Sequence, residues 1–239
     1  MMERIIVTRQ GPTDNSQMQT LQIIGCIMPD TVYTIIPDHL ESTSENETPN
    51  ICISDTPPYI QIPNTWNTTI LHDASNNNIL GANGEFQVTH DLVIPIAETT
   101  SEYLAFYHCK LVQHGDHINF NTTVPLPVTN MQIGTNYMKD YLLTSLGGGC
   151  YLEYHDTPHF HMPLNEAANG YLILGKIRDN YCLLSAFRIP YVYAIYTNPG
   201  VIHCDACLVG DYLVVYTITE HFSTVILKIG DAIANISFS

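Results

Sequence analysis

Residues 151–176 read YLEYHDTPHFHMPLNEAANGYLILGK. Two strand-sized pieces, YLEYH and GYLILGK, flank a pair of histidines one residue apart and a Pro-containing turn. Side chains alternate faces along a strand, so His159 and His161 point the same way and both imidazoles can reach one centre. Glu166 follows after MPLN, where a turn can bring the next strand back beside the first. Far along the chain, NPGVIHCD places His203 just after a Pro-Gly turn. Three imidazoles and a carboxylate make a sensible shell for Zn, Fe, Mn, Ni or Cu, and the carboxylate argues against a thiolate-type Cu(I) site.

Strand patterns continue on both sides. From about Phe86 onward, FQVTHDLVIPI, SEYLAFYHCKLV, HINFNTTVPL, YCLLSAF, VYAIYTN, CLVGDYLVVYTIT and STVILKIG are rich in Val, Ile, Tyr and Leu. They follow one another too closely to leave room for βα units. Many short antiparallel strands closed by Gly/Pro turns point to a barrel or double-sheet sandwich. The single helix candidate is TNMQIGTNYMKDYLLTSL, which predicts the longest helix over 131–146, stopped by the glycines at 147–149. Residues 1–85 read as a β-rich N-terminal extension that adds strands to the body at 86–239. Within it, 38–58 is a polar loop whose Ser, Thr, Glu and Asn content builds no core.

With the residues in view, the segment resembles the first motif of the cupin superfamily: two His one residue apart, a Glu a few residues later, then Gly. Here these are His159, His161 and Glu166, with Gly170 or Gly175 as an imperfect glycine match. Pro199–His203 is similar to the second motif, in which a turn delivers the last His ligand. Cys207 stands where that motif commonly has Asn, and the segment between the motifs is long. The resemblance implies an all-β, cupin-like double-stranded β-helix holding one divalent metal at its centre. His159, His161, Glu166 and His203 are then the ligands, and Fe is slightly favoured over Mn, Ni or Zn. It leaves open Fe(II) dioxygenase, sugar isomerase or epimerase, and lyase chemistry, since one fold supports many reactions.

Other residues are weighed beside these. Glu166 is expected as ligand or base, and Arg188, Tyr196 and Tyr216 as donors on the wall of a pocket for a small oxygen-rich metabolite. His155 is expected behind the ligands or at the surface, because Pro158 interrupts the strand that would carry it inward. The C-x-x-C of Cys204 and Cys207 is read as coincidence, since neither a helix N-terminus nor two further close ligands accompany it.

Charge removes whole classes of partner. Eight Lys+Arg against 23 Asp+Glu give a net charge of −15, and no Lys or Arg occurs between Arg9 and Lys110. Such a surface repels a phosphate backbone and an anionic membrane alike. Seven cysteines, an odd number in scattered strand positions, suggest reduced thiols, and the opening residues read as lacking the apolar core expected of a conventional secretory signal. A cytoplasmic protein with a small-molecule substrate is therefore expected, with a homodimer left open. The competing expectation is a non-catalytic β-barrel for binding or interaction, in which the histidines are simply buried polar residues.

Overall fold

A computed structural model describes residues 6–10, 17–50, 52–72, 83–134, 150–215 and 219–239. Eight strands organise the second half: β1 (Leu126–Ile133), β2 (Tyr151–His155), β3 (His159–Pro163), β4 (Leu172–Arg178), β5 (Tyr181–Phe187), β6 (Tyr193–Thr197), β7 (Ile202–Cys204) and β8 (Leu208–Val215). One sheet runs β1-β8-β3-β6 and the other β5-β4-β7-β2. Every pair within them is antiparallel. The chain shuttles between the sheets, except for the β4–β5 hairpin, and so wraps a double-stranded β-helix. The fold is all-β and barrel-like, as the strand spacing predicted.

Strands from before residue 86 extend both sheets. Gln17–Ile27 adds to the β1 edge, Ile60–Pro63 to the β5 edge, and Asn67–His72 pairs with Asn83–Gln87, which continues the sheet beyond β2 through Phe222–Ile229. Part of the expected polar loop is itself ordered: His39–Thr43 forms a hairpin with Val32–Ile36. The helix expected over 131–146 is corrected at its start. Met131 and Ile133 are strand residues of β1, paired with β8, because a buried alternating partner outweighs a weak helical period. Residues 135–149 lie outside the described ones. The described helix is Ser101–Phe106, whose Thr100 hydroxyl accepts from the Tyr103 N–H and caps it. No helix among the described residues is long and apolar enough to cross a membrane.

The fold places β3 under cover on both faces, and all five of its residues are buried. Phe160 and Met162 pack outward into a cluster with Ile35, Phe120, Tyr196 and Leu213. His159 and His161, of opposite parity, therefore face the space between the sheets. That space is walled by Ile195 and Val214 from one sheet and by Leu172, Leu174 and Phe187 from the other. A strand buried on both sides normally reads as a continuous apolar run. Imidazoles on its inner face depart from that rule and mark the interior as more than packing.

Candidate metal centre

Four histidines meet between the sheets. His155 ends β2, His159 and His161 lie on β3, and His203 is the middle residue of β7. Their rings pack at centroid distances of 4.7 Å (155–159), 4.9 Å (155–203), 4.9 Å (159–203) and 5.0 Å (159–161). None is more than 7% exposed. One nitrogen from each of His155, His159 and His203 lies within 4.8 Å of the other two. An equilateral triangle of that side holds each corner about 2.8 Å from its centre, so shifts of about 0.7 Å reach the ~2.0–2.1 Å of a Zn–N bond.

Two of these imidazoles have their tautomer set by the backbone. His155 Nδ1 is 2.7 Å from the Thr157 carbonyl and His203 Nδ1 is 3.0 Å from the Val201 carbonyl. A carbonyl only accepts, so both Nδ1 atoms carry the proton; Nε2 is then the ligand atom of each neutral ring, open at His155 and facing Glu153 Oε1 at His203. His155 Nε2 and His161 Nδ1 are buried without a hydrogen-bond partner. Each such polar atom costs about 1–3 kcal/mol in a folded core. Two together in one place are what a site built to hold a cation would contain, and these residues fit one.

Two carboxylates complete the surroundings. Asp205 Oδ2 lies 3.3 Å from His161 Nε2, and Asp205 Oδ1 accepts a 2.6 Å bond from the Tyr151 hydroxyl. Burial would raise its carboxyl, but the contacts with His161, His159 and Tyr151 hold it well below the usual range. With His159 and His161 it forms a second metal-capable group, so His159 is common to both. Glu153 Oε1 stands 3.5 Å from His203 Nε2, and Thr224 donates to Glu153 Oε2 at 3.3 Å. Burial pushes His203 down, yet the Glu153 carboxylate beside it outweighs that and leaves it above its ordinary value. His155, desolvated and next to His203, is lowered to about 3; His159, fully desolvated among three imidazoles, also falls well below its usual value.

The expected residues divide clearly. His159 and His203 come together, and His161 faces the same space, grouping with His159 and Asp205 and not with His203. His155 is corrected from bystander to central. Pro158 does interrupt the strand, but the chain changes sheets at Asp156–Pro158, so His155 and His159 meet across the gap instead of along one strand. Glu166 sits exposed in the turn after β3 and belongs to neither group. Arg188 is exposed, its carbonyl accepting from Thr99. Tyr196 pairs with Phe160 and shares its outward face, donating to the Phe120 carbonyl, so it points away from the imidazoles. Tyr216 lies outside the described residues.

Parity could have found the missed carboxylates. Glu153 is two residues before His155 on β2, and Asp205 two residues after His203, each on the histidine's own face. A cleft of about 330 Å³ lined by Gln22, Asn130, Met131, Gln132, Leu164, Asn165 and Asp211 is of small-molecule size, and no imidazole lines it.

No family model matches this chain, and a search of curated proteins finds no match either. What stands is the geometry: buried His and Asp groups able to hold a metal ion.

Proposed function

We propose that the protein is a metal-dependent enzyme of the cupin type that acts on a small oxygen-rich metabolite, with one divalent ion held by His155, His159 and His203. The observation that carries the reading is the inward Nε2 pair of His155 and His203, each fixed by an Nδ1–H bond to a carbonyl, with His159 beside both. Three protein ligands on a four- to six-coordinate ion leave positions for substrate oxygens. When bound, such an ion supplies Lewis acidity and, as Fe(II), redox chemistry. The chain's own groups do the rest. Asp205 stays ionised and orients His161. Glu153, buried beside His203, is the carboxylate placed to take or return a proton at Oε1. Leu172, Leu174 and Phe187 exclude water from the space around them.

One observation favours a second reading. The ligands are almost wholly buried, which suits an ion that staples β2, β3 and β7 together without turnover. Metal analysis of untagged protein, followed by reconstitution with Fe(II), Mn(II), Ni(II) or Zn(II), tests both. Turnover of any of a panel of diols, keto acids or thiols by oxygen uptake, or of sugars by anaerobic isomerisation, supports the enzyme. A metal-dependent rise in melting temperature with no turnover and no small-molecule binding supports the staple. Protein that takes up no metal removes both.

A further inference from the structure

We propose that Cys150, Cys204 and Cys207 form a second metal site, a three-thiolate site for a thiophilic d10 ion such as Zn(II) or Cu(I), on the opposite face of the β2–β7 pair from the histidines. Their sulfurs lie within 4.8 Å of one another, and the three residues are 1%, 0% and 7% exposed. Local geometry brings them there. Glu153 and His203 are paired across β2 and β7 and face inward, as do Tyr151 and Asp205, which are joined by a hydrogen bond. Cys150 directly precedes Tyr151 at the start of β2 and Cys204 directly follows His203 on β7, so both have the opposite parity.

The turn after β7 delivers the third sulfur. Leu208 N–H donates to the Asp205 carbonyl at 3.0 Å, closing a tight turn over 205–208 directly after Cys204; Cys207 is its third residue, and the C-x-x-C spacing is one that metal-binding cysteine pairs use. Cys207 is then clamped from behind. Its carbonyl accepts from the Tyr171 N–H at 2.9 Å, and a Cβ at Gly170 would collide with that same oxygen. The backbone of Asn169–Gly170, paired with Leu208–Val209, therefore fixes where Cys207 stands. None of the seven cysteines is disulfide-bonded, and only these three form such a group among the described residues.

Soft thiolates in an apolar, nearly dry setting select Cu(I) or Zn(II) over the harder ions that suit imidazole and carboxylate. Three sulfurs complete a trigonal Cu(I) shell or leave one position of a Zn(II) tetrahedron for an added ligand. As the ion binds, each Sγ–H bond breaks, its proton passes to solvent and its electron pair forms the S–metal bond. The two centres differ in ligand chemistry although β7 and its turn supply residues to both.

Co(II) is the probe. The full chain is purified under anaerobic, reducing conditions, stripped with a chelator and titrated. The expected result is an intense near-ultraviolet sulfur-to-cobalt charge-transfer band that is displaced by Zn(II) and, in the His155→Ala/His203→Ala chain, saturates at one equivalent. The band persists in the His155→Ala/His203→Ala chain and falls at least tenfold in Cys207→Ser. Cys207→His, which keeps a ligand, retains the ion with a weakened band, so a misfolded serine variant does not spoil the test. Absence of the band in the wild-type chain, its survival in Cys207→Ser, or a disulfide among the three cysteines in the anaerobic protein overturns the proposal. Because the double-histidine variant isolates the thiolates, their failure and failure of the histidine centre read separately.

Discussion

Replacing His155 by alanine separates the group of His155, His159 and His203 from the expected set of His159, His161, Glu166 and His203. A four-ligand zinc site is worth about 10–16 kcal/mol at neutral pH, so one ligand carries about 3 kcal/mol. At about 1.4 kcal/mol per decade, its loss raises the Kd about 100-fold. The metal-free fold should change much less. His155→Ala removes a hydrogen bond to Thr157 worth about 1 kcal/mol, but also removes a buried Nε2 without a partner. The two terms oppose each other, and the net effect should stay within about 2 kcal/mol. Glu166→Ala, at an exposed turn, should leave the Kd unchanged. Competition against a fluorescent chelator gives the affinities, and urea melts of the stripped proteins give the stabilities. A folded His155→Ala variant that binds metal within threefold of wild type would falsify the three-histidine assignment, as would an equal loss in Glu166→Ala.

Acid should weaken the metal-free protein. His155 is held neutral down to about 3 and His159 well below its usual value, chiefly by burial, while the unfolded chain protonates both near 6.5. The unfolded state thus binds more protons as pH falls from about 6.5 toward 3, and stability drops by about 1.4 kcal/mol per pH unit for each. His203, raised, adds stability only as pH falls to about 6.5 and contributes no slope below it; urea melts at pH 7, 6 and 5 should show the net fall, and a flat profile refutes it. Gly170→Ala meets both a φ of +80° and the Cys207 carbonyl, and should cost more than about 3 kcal/mol. Gly115→Ala, at φ +94° with open space around it, should cost about 1–2 kcal/mol in the same melts, so equal losses would argue against the clamp on Cys207. Tyr151→Phe removes a bond to an ionised carboxylate and should cost about 1.5–3 kcal/mol of stability; a loss under 0.5 kcal/mol would mean that Asp205 finds another donor.

Much of the architecture was readable because strand alternation is a local property. The run from Tyr151 to Lys176 already shows two strands and a turn, and the i,i+2 rule alone puts His159 and His161 on one face. The rule is silent across a strand break: His155, set aside because Pro158 interrupts its strand, meets His159 from the other sheet. Glu166 has a suitable spacing in the sequence, yet its turn projects outward. Tyr196 has the right hydrogen-bonding chemistry, but its register against Phe160 puts it on the far side of the sheet.

From the sequence alone, then, follow the all-β class, the strand-sized segments, the acidic surface and the shared face of His159 and His161, since each depends on composition or on near neighbours. Only the tertiary structure decides that His155 is central, that Asp205 and Glu153 are the nearby carboxylates, and that Cys150 joins Cys204 and Cys207 from more than fifty residues away. The physical reason is that a strand's periodicity states which side chains share a face but not which face is inside. That depends on which strands become neighbours, and here on a chain that crosses from sheet to sheet between His155 and His159.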